Sequence, residues 1–138
     1  MQSRAFPVEC SLAAVDTAMA NLCAFAADAL PPEGMIRLEI AVTEALTNIV
    51  LHGDLPTESV IDLIVRKAPE RVDIEIRDFG PPIPPDLLQS SPDIADIDPL
   101  EESGRGIPLI KALSDALDYR SAGQSNCMTL RFASRGVE

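Results

Sequence analysis

Three side chains capable of chemistry recur along one apolar segment. In EALTNIVLHG, residues 44–53, the polar positions Glu44, Asn48 and His52 fall four residues apart. On a helix such residues lie one above another on the surface. A carboxylate and an amide that line a pocket can hold a hydrated Mg²⁺, which prefers oxygen ligands and keeps several waters. The carboxylate can also accept a proton. The competing reading is a solvated back face, because a helical wheel sets the pair opposite the stripe Met35, Leu38, Val42, Ala45, Ile49. Ile40, Ala41 and Leu51 flank the pair, so the helix reads as apolar nearly all round, which favours a cavity-facing line. His52 is the chain's only histidine and has no partner His or Cys nearby in sequence, so its role stays open.

Asp78 is the second unusual group. Val72, Ile74 and Ile76 point to one face of a strand, and period two puts Asp78 on that same inward face. An inward carboxylate is costly without hydrogen bonds. Either it accepts from a ligand amine at a pocket floor, or the strand has ended and Asp78 caps the Phe79-Gly80-Pro81 turn. Gly104-Arg105-Gly106 is the third. A glycine pair before a helix lets backbone N–H groups approach a phosphate. A plain loop-to-helix turn is the alternative. Arg105 stands among acidic residues as a candidate phosphate contact.

The elements that must position these groups follow from periodicity. Residues 3–8 read as a short extended segment. Ser11 caps a helix running to about Leu30, with Leu12, Val15, Met19, Leu22, Cys23 and Ala26 inward. Pro31-Pro32 stops it. A second helix runs from about Glu33 to His52, with Gly53 in the left-handed terminal position. Strands follow at Ser59–Arg66 and Arg71–Arg77, joined by a link of hairpin length. From Gly80 to Ser103 regular structure gives way to prolines and acids, apart from a helical turn near Asp86–Gln89. A loop of this length in a compact domain is functional or flexible. A third helix opens at Ser103–Pro108 and reaches about Ala116, before strands at Leu117–Ser121 and Cys127–Ala133. Antiparallel strands beside helices make an α/β two-layer sandwich in one domain, residues 1–138.

Composition narrows the partners. The 138 residues carry a formal charge of −11. That excludes nucleic acid or an anionic membrane as the expected partner, while a few local cations can still hold a phosphate. Three cysteines, Cys10, Cys23 and Cys127, are odd in number and widely spaced. They read as buried free thiols, not as zinc ligands or a disulfide framework. The N-terminus has no apolar core of signal-peptide length, so a cytoplasmic protein is expected.

Taken together, the motifs resemble those of a known superfamily. Glu44-x-x-x-Asn48 looks like the N box of the Bergerat (GHKL) ATP-binding fold. Asp78-Phe79-Gly80 looks like its G1 box, and Gly104-Arg105-Gly106-Ile107 like its G2 box. The order and intervals match over about residues 10–133. The wording TEALTNIVLHG is similar to that of anti-sigma-factor serine kinases of the RsbW/SpoIIAB type. The resemblance implies a mixed, mainly antiparallel sheet packed on helices. It implies ATP and Mg²⁺ as cofactors, with Asn48 at the metal and Glu44 as the base that activates a serine hydroxyl. Asp78 would accept from the adenine amino group, and Gly80 would let the backbone approach the base. Gly104, Arg105, Gly106 and Ile107 would border the phosphates. Thr129, or Asn126, would be the late-strand polar residue near adenine. Residues 81–104, chiefly 90–103, would form the lid over ATP. The implied substrate is a STAS-domain antagonist, the other partner a sigma factor or another output protein, and the assembly a homodimer.

Two departures stand out. Pro82 replaces the second G1 glycine, and Pro108 follows Ile107 in the G2 box. The first motivates a rival reading, a binding module that sequesters its partner with a residual nucleotide site. A further rival is the detached ATP-binding domain of a histidine kinase.

Overall fold

Alternation of apolar and charged residues decides which way the sheet faces. The structure is a computed structural model that describes residues 1–53, 55, 56, 58–89 and 106–134. Its strands are β1 (Gln2–Glu9), β2 (Val60–Ala68), β3 (Arg71–Asp78), β4 (Ala116–Ala122) and β5 (Ser125–Ala133). Its helices are α1 (Leu12–Ala26), α2 (Pro32–His52), α3 (Pro85–Gln89) and α4 (Ile107–Leu113). The strand order is β1-β2-β3-β5-β4. The expected two-layer sandwich with a mainly antiparallel sheet is present, and among the described residues every strand pair is antiparallel. Hairpins join β2 to β3 and β4 to β5, and antiparallel neighbours are what short hairpin links produce.

One face of the sheet carries Val72, Ile74, Ile76, Met128, Leu130 and Phe132 into the core, where Leu22, Leu38, Val42 and Leu46 of the helices are also buried. Burying each such large side chain is worth about 1.5–3 kcal/mol. The other face is charged. Asp73 pairs with Arg71 and Arg131, and Glu75 with Arg66 and Arg77. Burial acts to raise the Glu75 carboxyl. Hydrogen bonds from Arg77 and Cys127, with the Arg66 guanidinium, outweigh it and hold Glu75 below the usual carboxylate range. Its contribution is therefore present at neutral pH and is lost as pH falls through that lowered value.

The helix ends differ in part from expectation. Ser11 does cap α1, its Oγ accepting from Ala14 N at 3.1 Å. But α1 stops at Ala26, short of Leu30. Lys67 Nζ donates to the Phe25 carbonyl at 2.7 Å and to Asp28 Oδ1 at 2.9 Å, which satisfies the helix end from the sheet. Gly53 ends α2 in the right-handed region, φ −78°, not the left-handed one. It is tied to close approach instead: a Cβ there would lie 2.4 Å from the Ile49 carbonyl oxygen. The helix that follows the glycine pair ends earlier than expected, at Leu113 and not near Ala116. Gly106 starts it at φ 68°, and Ser114 ends it by directing both its N–H and its hydroxyl to the Ile110 carbonyl. The cysteines are free, with Cys10 buried and Cys23 and Cys127 half-buried. No helix among the described residues is long and apolar enough to cross a membrane.

Arg37 fixes α2 against α4 and the sheet, and nothing in the pattern of the sequence marked it. It is 7% exposed. Its Nε donates to Glu33 at 2.9 Å, and its Nη1 donates to the Leu113 carbonyl at 3.2 Å and to Asp115 at 3.4 Å. Arg37→Ala is expected to destabilise the fold by about 1–3 kcal/mol, because it removes a buried side chain together with its bonds to the half-buried Leu113 and Ala133 carbonyls and its ion pair with Asp115. Urea unfolding measures this, and a loss below the size of an ordinary surface change would contradict it.

Candidate functional site

Residues 44 and 48 of α2 do not sit on a solvated back face. Both are half-buried on the flank of the helix that meets the start of α4. The wheel's expectation of an apolar surround is corrected: Ile40 is 42% exposed and Leu51 60% exposed. The polar line lies between the covered flank and this open strip. Gly106 is packed against it. A Cβ on Gly106 would lie 2.7 Å from Glu44 Oε2 and 3.7 Å from Asn48 Nδ2. Among the described residues Glu44 has neither a hydrogen bond nor an ion pair.

Gly106 is therefore glycine for two reasons, its positive φ and the space that Glu44 occupies. Gly106→Ala is expected to cost about 1–2 kcal/mol from the left-handed backbone alone. It also forces the Glu44 carboxylate to swing aside. Guanidinium denaturation reads the first effect; a variant as stable as the parent would show that this backbone is not strained.

Asp78 ends β3 on the inward face, opposite Asn126 of β5. The two readings of its carboxylate prove compatible, one per oxygen. Oδ1 accepts from Gly80 N at 2.9 Å, the turn cap, and from Asn126 Nδ2 at 3.0 Å. Oδ2 has no partner among the described residues and Asp78 lines a cavity, so that oxygen is left for a ligand donor. Asn126 is 2% exposed and braces the turn, donating also to the Gly80 carbonyl at 2.7 Å and accepting from Ser121 Oγ at 2.7 Å. Burial pushes the nearby Cys10 thiol up, and the Asp78 charge adds to it. Gly80 serves a close approach, though to protein: a Cβ there would lie 2.9 Å from the Gly53 carbonyl oxygen.

The cavity has a volume of about 40 Å³. Ala45, Ile49, Ile76, Ile107, Ile110 and Met128 make its apolar wall, with Asn48, His52, Asp78 and Tyr119 as polar lining. His52 thus belongs to the pocket mouth. Ile107 contributes as wall, being 1% exposed. Thr129 stands outside. It pairs with Glu75 and Asp118 on the charged face, and Asn126 takes the late-strand place beside Asp78. Period two could have made that choice, since Asn126 shares its face with Met128, Leu130 and Phe132. Gly104, Arg105 and residues 90–104 of the expected lid lie outside the described residues. Residues 81–89 are described: Pro81 and Ile83 line the pocket, and Pro85–Gln89 form α3. Tyr119 and Ile83 carried no signal in the sequence beyond Tyr119 being the single tyrosine.

A sheet covered by helices on one face, with a carboxylate floor and a Glu/Asn line beside a glycine-started helix, defines a nucleotide-binding kinase-like domain. The chain belongs to the histidine kinase-like ATPase domain family, whose profile matches residues 8–132. It is 31% identical over 94 residues to the serine/threonine-protein kinase BtrW of Bordetella bronchiseptica, a match covering 67% of this chain and 66% of that protein. Its fold is similar to that of the RsbU and RsbW domains of Rv1364c from Mycobacterium tuberculosis. There the TM-score is 0.66 at 15% identity, over 100% of this chain and 35% of that one. The catalytic domain of histidine kinase ThkA superposes with a TM-score of 0.55 at 10% identity, covering 97% of each chain. Family membership implies ATP binding.

The residues present fit that ligand. An unpartnered carboxylate oxygen in an apolar cavity suits an amino-bearing base, and Asn48, which also lines the cavity, stands one helical turn from Glu44. Among the described residues no three His, Cys, Asp or Glu side chains form a metal cluster. Mg²⁺ bound mainly through phosphate oxygens and waters does not require one.

Proposed function

We propose that the chain is an ATP-dependent protein-serine kinase of the RsbW/SpoIIAB type, acting in partner switching on a STAS-domain antagonist. The observation that carries this reading is Glu44, a half-buried carboxylate beside Gly106, one helical turn from the cavity-lining Asn48, with no hydrogen bond or ion pair among the described residues. Nucleotide binding alone has no need of a base at that point. In the reaction the serine O–H proton passes to Glu44 as its oxygen bonds to the γ-phosphorus. The bond from that phosphorus to the β,γ-bridging oxygen breaks, and ADP leaves. Asn48 would hold Mg²⁺, which neutralises phosphate charge when bound. Asp78 would accept from the adenine amino group. A homodimer and a sigma factor or other output protein belong to this reading by resemblance.

The test is phosphate transfer from labelled ATP to a STAS-domain protein from the same genome neighbourhood, with phosphoserine as the readout. No transfer to such a protein, with ATP bound, would leave the second reading. That reading is a sequestering module with a residual nucleotide site. One feature of the sequence favours it: Pro82 stands where the G1 box has its second, permissive glycine, which stiffens the turn beside the cavity.

A further inference from the structure

Residues 81–85 are Pro-Pro-Ile-Pro-Pro. Proline has no N–H, so Ile83 holds the only backbone donor in the run. That donor meets the Tyr119 hydroxyl at 2.9 Å. Pro81, Ile83 and Tyr119 all line the cavity. The Tyr119 ring is half-buried against the core, on β4 opposite Met128, another cavity residue. A second tie lies just beyond: Lys111 Nζ of α4 donates to the Leu88 carbonyl at the end of α3.

We propose that Tyr119 is a positioning residue for the nucleotide base. Its hydroxyl holds the proline run as a fixed wall of the pocket, at the place where Pro82 stands for a permissive glycine. Four of the five residues in the run cannot donate to any neighbour, so this one bond fixes the wall relative to β4. The wall then sets how tightly the base is gripped. The inference rests on the nucleotide reading of the site and is independent of whether phosphate is transferred.

Tyr119→Phe keeps the ring and removes the hydroxyl. Calorimetric titration with Mg-ATP is expected to show about three- to tenfold weaker binding, the effect of one hydrogen bond. Amide exchange at Ile83 accelerates, while the melting temperature of the nucleotide-free protein stays close to that of the parent. A purely structural tyrosine would move the melting temperature and leave the affinity alone. A Phe variant with parental ATP affinity, or with parental exchange at Ile83, overturns the inference. A parent protein that binds no ATP overturns the nucleotide reading itself, and this inference with it.

Discussion

Glu44→Gln is expected to lower phosphoryl transfer to a serine hydroxyl by about 10²–10⁴-fold, the usual worth of a positioned general base. ATP binding is expected to persist. Gln has the shape of Glu and fits the same space beside Gly106, so neither the helix packing nor the glycine turn is disturbed. What disappears is the ability to take a proton. Glu44 has no hydrogen bond or ion pair among the described residues, so no such contact of the fold is lost with its charge. Initial rates with the STAS-domain substrate, set beside ATP titrations of both proteins, separate the two effects. Equal rates for parent and variant would remove Glu44 as the base. Equal loss of rate and of ATP affinity would assign the residue to binding instead.

The frame that presents Asp78 was readable because period and burial agree there. Val72, Ile74 and Ile76 alternate strictly with charged residues, and β3 extends through Asp78 on the same face. The glycine that ends α2 was likewise in the sequence, although its reason was not. A wheel knows only directions. It cannot know that α4 covers one flank of α2 and leaves Ile40 and Leu51 in solvent. Arg37 was invisible for the same reason: apart from Glu33, its acceptors, Leu113, Asp115 and Ala133, lie far along the chain and come together only in the fold. So was the tie from Tyr119 to Ile83. Thr129 and Asn126 differ by an odd number of residues, and on a strand an odd offset changes the face. Local pattern was enough to choose between them, once the inward set was anchored on Phe132.

Asp78→Asn has the larger consequence for the ligand. The carboxylate accepts on both sides, from Gly80 N and Asn126 Nδ2 at Oδ1 and, in the proposed complex, from the adenine amino group at Oδ2. An asparagine has one acceptor oxygen and one NH₂. With the oxygen toward Gly80 and Asn126, the NH₂ points at the adenine amino group, donor against donor. With the amide turned over, the same conflict falls on the turn. Neither orientation satisfies the site, and a mispaired buried polar contact costs about 2–4 kcal/mol, or about 30- to 10³-fold in ATP affinity. The first orientation keeps the protein's own bonds and is the one expected in the nucleotide-free state. The variant should therefore unfold at nearly the parental denaturant concentration while losing the thermal shift that Mg-ATP gives the parent. A variant that binds ATP as the parent does would show that the base does not reach Asp78. Loss of stability without nucleotide would mean that the carboxylate serves the Phe79-Gly80-Pro81 turn first and the ligand second.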